Sequence, residues 1–455
     1  MRSHTTSRRR RVAVSGIAIG AVALSGCAGA GAGAGSGSSE VVTLNLATVS
    51  NPQMKDMEQL KGEFEAEHPD IKVNFIQMEE NDVRDAITKD IATQGGQYDV
   101  VTIGAYEVPL WQQNGWLTDL SQWADGDADY DVDDLFPPVR ESVSVDGDLY
   151  AAPFYAESSL LMYNKEIFEA AGLTMPDNPT WQEVADLATQ LDTDSDDYVG
   201  ICLRGKPGWG EGIASLNTVV HTFGGAWFDE DWNAQVDQPE FKEALTFWSD
   251  MMRESAEADP VSHGFTECLN VFTQGDAAMW YDATSAAGSV EDPNSSSVAG
   301  KVGYVKSPTN LTEETGWLWS WNLAIPKTTK NPEQAWEFVD WATSKGYLEL
   351  VGEELGWSRV PPGSRVSTYD IPEYQEAAAA FADLTRDAML GVDPAQPGVN
   401  PQPYVGIQFI TIPEWQDLGT QASQVFAEVY AGRMSVDDAL AEVQQLATAA
   451  GEAQK

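Results

Sequence analysis

Six charged side chains of this 455-residue chain stand where a ligand could meet them: Glu157, Arg204, Lys206, Glu211, Asp282 and Arg359. Carboxylates and guanidinium groups give and take paired hydrogen bonds, as the neighbouring hydroxyls of a neutral polyhydroxy compound require. Six indoles accompany them, Trp209, Trp227, Trp317, Trp319, Trp321 and Trp357, out of 16 in the chain. An indole stacks well on the C–H face of such a compound, although filling a core is an equal use for any one of them. The chemistry in view is non-covalent recognition.

Covalent and metal chemistry find little support. His68, His221 and His263 lie far apart in sequence, so neither a metal cluster nor a His-based triad is indicated. Neither G-x-S-x-G nor H-E-x-x-H occurs. Gly200 to Lys206 fits the first seven positions of a phosphate-binding G-x-x-x-x-G-K loop, but Pro207 replaces the required Ser or Thr, so the match is read as chance. A pair of carboxylates at the right separation would make a glycosidase, and among 71 acidic residues such pairs carry no weight. No cofactor or metal is expected. A secreted carbohydrate-active hydrolase remains the alternative function, and an adhesin a third class.

The elements that must position these groups follow from hydrophobic period. Val41 to Ala47, Lys72 to Gln77 and Tyr98 to Ile103 read as strands, separated by helices over 52–68 and 81–93. Met57, Leu60 and Phe64 share one helical face, as do Val83, Ile87 and Ile91. Alternating strand and helix predicts an α/β fold with a parallel sheet, whose ligands sit beyond the carboxyl ends of strands. Asn51 follows the first strand, and Tyr106 and Glu107 follow the third, so all three fall at that level. Leu149 to Lys165 is an apolar run closing on Tyr-Asn-Lys, with Tyr155 and Glu157 in its extended first half. Thr180 to Glu183 is a capping box opening a helix whose apolar face is Trp181, Val184, Leu187 and Leu191. Gly316 to Pro326 alternates, which puts Trp317, Trp319 and Trp321 on one face of a strand.

The N-terminus reads as a processing signal. Arg8 to Arg11 precede a short apolar run, Val12 to Leu24, too brief to span a bilayer. Leu24-Ser25-Gly26-Cys27 looks like a lipobox, with Cys27 the lipidated first residue of the mature chain and 27–40 a flexible tether. A plain signal peptide with a chance Cys is the alternative. The chain's net charge of −45 repels nucleic acid and anionic headgroups. Cys202 and Cys268 are the remaining cysteines. An oxidising compartment invites one disulfide between them, against two separate buried thiols.

The stretch around Glu157 resembles the signature of extracellular solute-binding protein family 1, the sugar-binding proteins of ABC importers that include maltose-binding protein. The resemblance covers residues 41–455. It implies a two-lobe periplasmic-binding-protein-like fold, each lobe a mainly parallel sheet flanked by helices, with three hinge crossings near 154–158, 280–284 and 321–325. It divides the chain into a signal peptide over 1–26, a first lobe of 41–156 and 283–322, and a second of 157–282 and 323–455. The acidic residue of the first crossing, here Glu157, faces the ligand in that family. Leu203 to Glu211, Met279 to Thr284 and Trp317 to Asn322 together look like its sorbitol/mannitol-binding branch. The implied protein is a monomer, lipid-anchored on the extracytoplasmic face, that passes a neutral polyol or small sugar to a membrane permease.

Overall fold

The computed structural model describes residues 41–194 and 197–455. The signal segment, Cys27 and the tether lie outside the described residues. Ten strands occur in chain order: β1 Val42–Val49, β2 Ile71–Met78, β3 Val100–Gly104, β4 Ser144–Val145, β5 Asp148–Leu149, β6 Ala152–Glu157, β7 Ser159–Asn164, β8 Met279–Ala283, β9 Val302–Lys306 and β10 Trp319–Ala324. Two sheets matter for the site: one of five strands in the order β2-β1-β3-β10-β6, and one of three in the order β8-β7-β9.

The larger sheet starts as expected. β1 pairs parallel with β2 and with β3, and the connections are α1 (Pro52–Glu67) and α2 (Glu80–Ala92). Asn51 starts α1: its side chain accepts from Met54 N, and Pro52 occupies the first turn, where no intrahelical donor is needed. Met57, Leu60 and Phe64 are buried, as are Val83, Ile87 and Ile91, so both helices dock by the faces read from their period. Thr180 and Glu183 form the predicted capping box, with Thr180 N donating to Glu183 Oε2 at 2.8 Å and Glu183 N to Thr180 Oγ1 at 3.2 Å.

The larger sheet is mixed and the smaller one antiparallel, where mainly parallel sheets were expected. β10 runs antiparallel to both β3 and β6, and β7 runs antiparallel to both β8 and β9. The reason is connection length. β6 turns straight into β7 across Ser158, and a strand that returns from the other sheet must run against its neighbour. Two placements differ from the sequence expectation. Val302–Lys306, expected in the first lobe, pairs with β7 in the sheet of the second. The chain therefore leaves the smaller sheet between Lys306 and Trp319, ahead of the crossing expected at 321–325, which lies inside β10. The helix Pro332–Thr343, assigned by sequence to the second lobe, packs on β6, α1 and β1 of the larger sheet.

Cys202 and Cys268 are bonded, with Cα atoms 5.6 Å apart, in a fully buried cluster with Leu160, Met162, Phe272 and Trp280. The bond closes a loop with a sequence separation of 66. Its reduction in the folded chain is expected to lower unfolding stability by about 4 kcal/mol on loop-entropy grounds. Denaturant melts with and without reductant check this; coincident curves would contradict it.

Candidate functional site

β6 ends at Glu157 and β7 begins at Ser159, so Glu157 sits where the chain passes from one sheet to the other. Between the sheets lies a cleft lined by side chains from several separate segments. Asn51, Tyr155, Glu157, Trp319 and Trp321 line it from the larger sheet. Arg204, Trp209, Glu211 and Trp317 line it from the other side. The structure thus gathers nine sequence-predicted site residues from four separate segments.

Several are held in place by hydrogen bonds to neighbouring protein groups. Asn51 spends its carbonyl on the α1 cap and donates its amide to the Tyr155 hydroxyl at 2.8 Å. Both groups are thereby fixed before a ligand arrives. Arg204 donates Nε–H to Asp282 Oδ2 at 2.8 Å, a second hydrogen bond from Nη2 to Oδ1, and Nη1–H to the Gly210 carbonyl at 3.1 Å. A guanidinium has five N–H donors, so two of the Arg204 donors are left for a ligand. Its proton is held more firmly than usual, because Asp282 and Glu211 outweigh the cost of burial. Glu157 accepts from the Ser285 hydroxyl. Burial pushes its carboxyl up to about 8, against the lowering effect of that bond and of Arg204.

The aromatic wall is continuous. The Trp319 and Trp321 rings stand 5.6 Å apart edge to face, Trp209 meets Trp319 at 6.0 Å, and the Arg84 guanidinium lies 4.0 Å over Trp209. Trp319 needs a glycine beside it: a Cβ on Gly104 would fall 2.0 Å from its ring. Three buried polar atoms on the lining residues have no partner, namely Trp209 Nε1, Trp317 Nε1 and Gln408 Oε1. Buried polar groups are normally paired, so these three atoms stand out among the lining residues.

Seven expected contacts lie elsewhere. Asp282 is fully buried behind Arg204 and also accepts from Trp280 Nε1 at 3.1 Å, so it positions the guanidinium without reaching the cleft. Glu107 does the same for Arg84, accepting from its Nη1 at 2.8 Å and from Gly104 N at 2.9 Å. Tyr106 supports Trp209 from behind, ring to ring at 5.1 Å, and donates its hydroxyl to the Ile412 carbonyl. Lys206 sits on the rim, 3.4 Å from Glu79 and 3.6 Å from Glu267. Trp227 packs on Phe241 and Trp415 in the core, its Nε1 donating to Asn217. Trp357 covers Gly352, and Arg359 pairs with Asp56 and approaches Asp292, beside a separate small pocket. The Gly200 to Lys206 run is no phosphate cradle: Cys202 bridges alongside Trp280, and Gly200 abuts the Ala188 carbonyl.

Glu79, Glu80, Arg84, Phe265 and Gln408 line the cleft and escaped the sequence reading. Arg84 follows Val83 on α2 and pairs with Glu80 one turn earlier, which in sequence looks like an ordinary exposed helix pair. Gln408 belongs to a stretch, 392–414, without regular structure of its own, where no period marks which side chains point inward. Among the described residues no group of three or more His, Cys, Asp or Glu is placed to hold a metal ion.

Known proteins sharpen the comparison. A family profile described as bacterial extracellular solute-binding protein matches residues 49–349. The chain is 45% identical over 404 residues to the mannitol-binding protein of Pseudomonas aeruginosa, covering 89% of this chain and 92% of that one. An ABC transporter solute-binding protein from Agrobacterium vitis S4, solved with bound D-mannitol, superposes with a TM-score of 0.88 at 48% identity, covering 90% of this chain and 99% of that one. A second, from Agrobacterium radiobacter K84 in complex with ribitol, gives 0.80 at 26% identity over 90% of this chain and 99% of that one.

Proposed function

Since the chain belongs to the bacterial extracellular solute-binding proteins, whose work is extracytoplasmic, we propose that it is the receptor of an ABC importer for an acyclic polyol of the mannitol type. The observation that carries this is the cleft itself. Four Trp line it with two arginines and a set of carboxylates, and two indole N–H donors and one amide oxygen of the lining residues are buried and unpaired. Hydroxyls on successive carbons can donate to Glu157 and Gln408 and accept from Arg204 and the indole N–H groups. The C–H edges of the same chain lie against the indoles. The mannitol- and ribitol-bound relatives support an open-chain ligand, and the binding roles of those relatives favour a receptor over a hydrolase.

The mechanism follows from placement. Glu157 stands at a crossing, and Arg204 and Trp209 come from one side while Asn51 and Trp321 come from the other. A ligand that contacts both sides binds the closed arrangement better than the open one and shifts the population toward it. Two lobes built on the two sheets, with the boundaries corrected above, are the moving parts of this reading. Lipid attachment at Cys27 and docking of the monomer to membrane permease subunits complete it.

A thermal-shift screen over alditols, monosaccharides and disaccharides tests the ligand class. Alditols of five or six carbons should raise the melting temperature most, and a shift with disaccharides alone would overturn the reading. Anchoring has its own check. Changing Cys27 to Ala should leave folding intact and release the protein from membranes, because stable attachment needs more than one acyl chain. If the variant still pellets with membranes after a high-salt wash, the lipobox assignment fails.

A further inference from the structure

The cleft holds more negative charge than its arginines balance. Arg204 is matched by Asp282 and Arg84 by Glu107, and both of those carboxylates lie behind the wall. Left facing the cavity are Glu80, Glu157 and Glu211, with Glu79 at the rim beside Lys206 and Glu211 Oε2 3.7 Å from Arg204 Nη1. Each has one oxygen engaged: Glu80 Oε1 by Arg84, Glu157 Oε2 by Ser285, and Glu211 Oε2 by the Phe265 amide. Among the described residues no hydrogen bond reaches the other oxygen of any of the three. Lys206 does not settle the balance, because it is shared at the rim between Glu79 and Glu267.

These carboxylates feel one another. Burial raises both Glu157 and Glu211, and the charge of Glu80 raises them further, while Arg204 pulls in the opposite direction. Asp282 adds to the repulsion at Glu157, and Lys206 relieves some of it at Glu211. A neutral ligand that excludes water leaves this surplus to be met by protons. An ammonium group, with three N–H donors and a positive charge, meets it directly. The unpaired Trp209 Nε1, Trp317 Nε1 and Gln408 Oε1 remain for hydroxyls, so the ligand must still be a polyol.

We propose that this cleft also takes cationic amino-alditols, open-chain polyols bearing one ammonium group, with the ammonium seated among Glu80, Glu157 and Glu211. The inference rests on the polyol reading and adds a charge preference to it. The same surplus selects against aldonates and sugar phosphates, which bring a further negative charge into a site whose arginines are already matched by carboxylates.

Calorimetric titration of the full chain with D-mannitol, 1-amino-1-deoxy-D-mannitol and D-mannonate, each at about pH 6 and about pH 8, tests it. The sign follows from linkage. A carboxyl raised on closure binds a proton as the cleft closes, so affinity for a neutral ligand falls as pH rises from the ordinary carboxylate range toward about 8, by at most tenfold per pH unit for one proton. Mannitol binding should therefore take up protons and weaken over that interval, while binding of the amino-alditol should not. At about pH 8 the amino-alditol should bind at least about tenfold more tightly than mannitol, and mannonate most weakly of the three. Glu157→Gln should shrink the ratio of amino-alditol to mannitol affinity by about tenfold or more. If mannitol binds and the amino-alditol binds more weakly at about pH 8, the charge preference is wrong and the polyol reading stands. If neither binds, both are wrong.

Discussion

Changing Arg204 to Ala is expected to weaken alditol binding by roughly 30- to 1000-fold, or about 2–4 kcal/mol, and to lower the melting temperature as well. Two losses add. The ligand forfeits the two free N–H donors of a guanidinium already oriented by Asp282 and the Gly210 carbonyl. Asp282, fully buried, also keeps, among the described residues, only Trp280 Nε1 and its neighbouring Ala283 amide as donors. Removing one partner of a buried ion pair costs about 3–5 kcal/mol of stability, because the other charge stays behind. Arg204→Lys separates the two effects: it keeps a charge near Asp282 and loses the planar fork. Calorimetry with melting temperature as a folding control decides the matter. Affinity within threefold of the parent in a folded Arg204→Ala variant would show that the guanidinium does not touch the ligand.

The second large effect is expected at Trp209. This side chain is the hub of the aromatic wall, touching Tyr106 behind it, Trp319 beside it and the Arg84 guanidinium across it. Truncating a buried Trp costs about 3–5 kcal/mol. Here it also frees Arg84 from the face on which it stacks. Trp209→Ala should therefore reduce alditol affinity by about 100-fold or more, while Trp209→Phe should lose only about tenfold. Phe retains a ring for stacking and lacks the N–H that stands unpaired in the cleft. Equal losses for Ala and Phe would assign the effect to the N–H alone. No loss for either would remove Trp209 from the site.

What the sequence made legible was set by periodicity. The β1–α1–β2–α2–β3 succession and the buried faces of both helices follow from apolar spacing, and Trp319 and Trp321 reach one cleft because β10 alternates; Trp317, expected on the same strand face, lies ahead of β10 and lines the cleft from outside that strand. Glu157 and Arg204 were found as polar residues at the ends of apolar runs. Strand direction was not legible, because the same apolar alternation serves a parallel or an antiparallel neighbour; β9 and β10 show it. Nor did the sequence separate residues that touch the cleft from those that hold them. Asp282 and Glu107 each sit one shell behind an arginine, and only the packing reveals which carboxylate turns away. Arg84 and Gln408 failed for a third reason. One is disguised as half of a helix surface pair, and the other lies in an irregular segment brought to the cleft by long-range contacts such as Asn217 Nδ2 to its carbonyl at 3.1 Å.

The central claim is that the cleft between the two sheets closes over a single open-chain polyol and releases it unchanged. Titrating D-mannitol into the wild-type chain and recovering the sugar alcohol afterwards tests this most directly. Saturable binding at one site per chain, with the mannitol intact and the heat lost in the Arg204→Ala variant, is the predicted result. Saturable heat from a disaccharide with none from mannitol or any other alditol, or a chemically altered product, would contradict it.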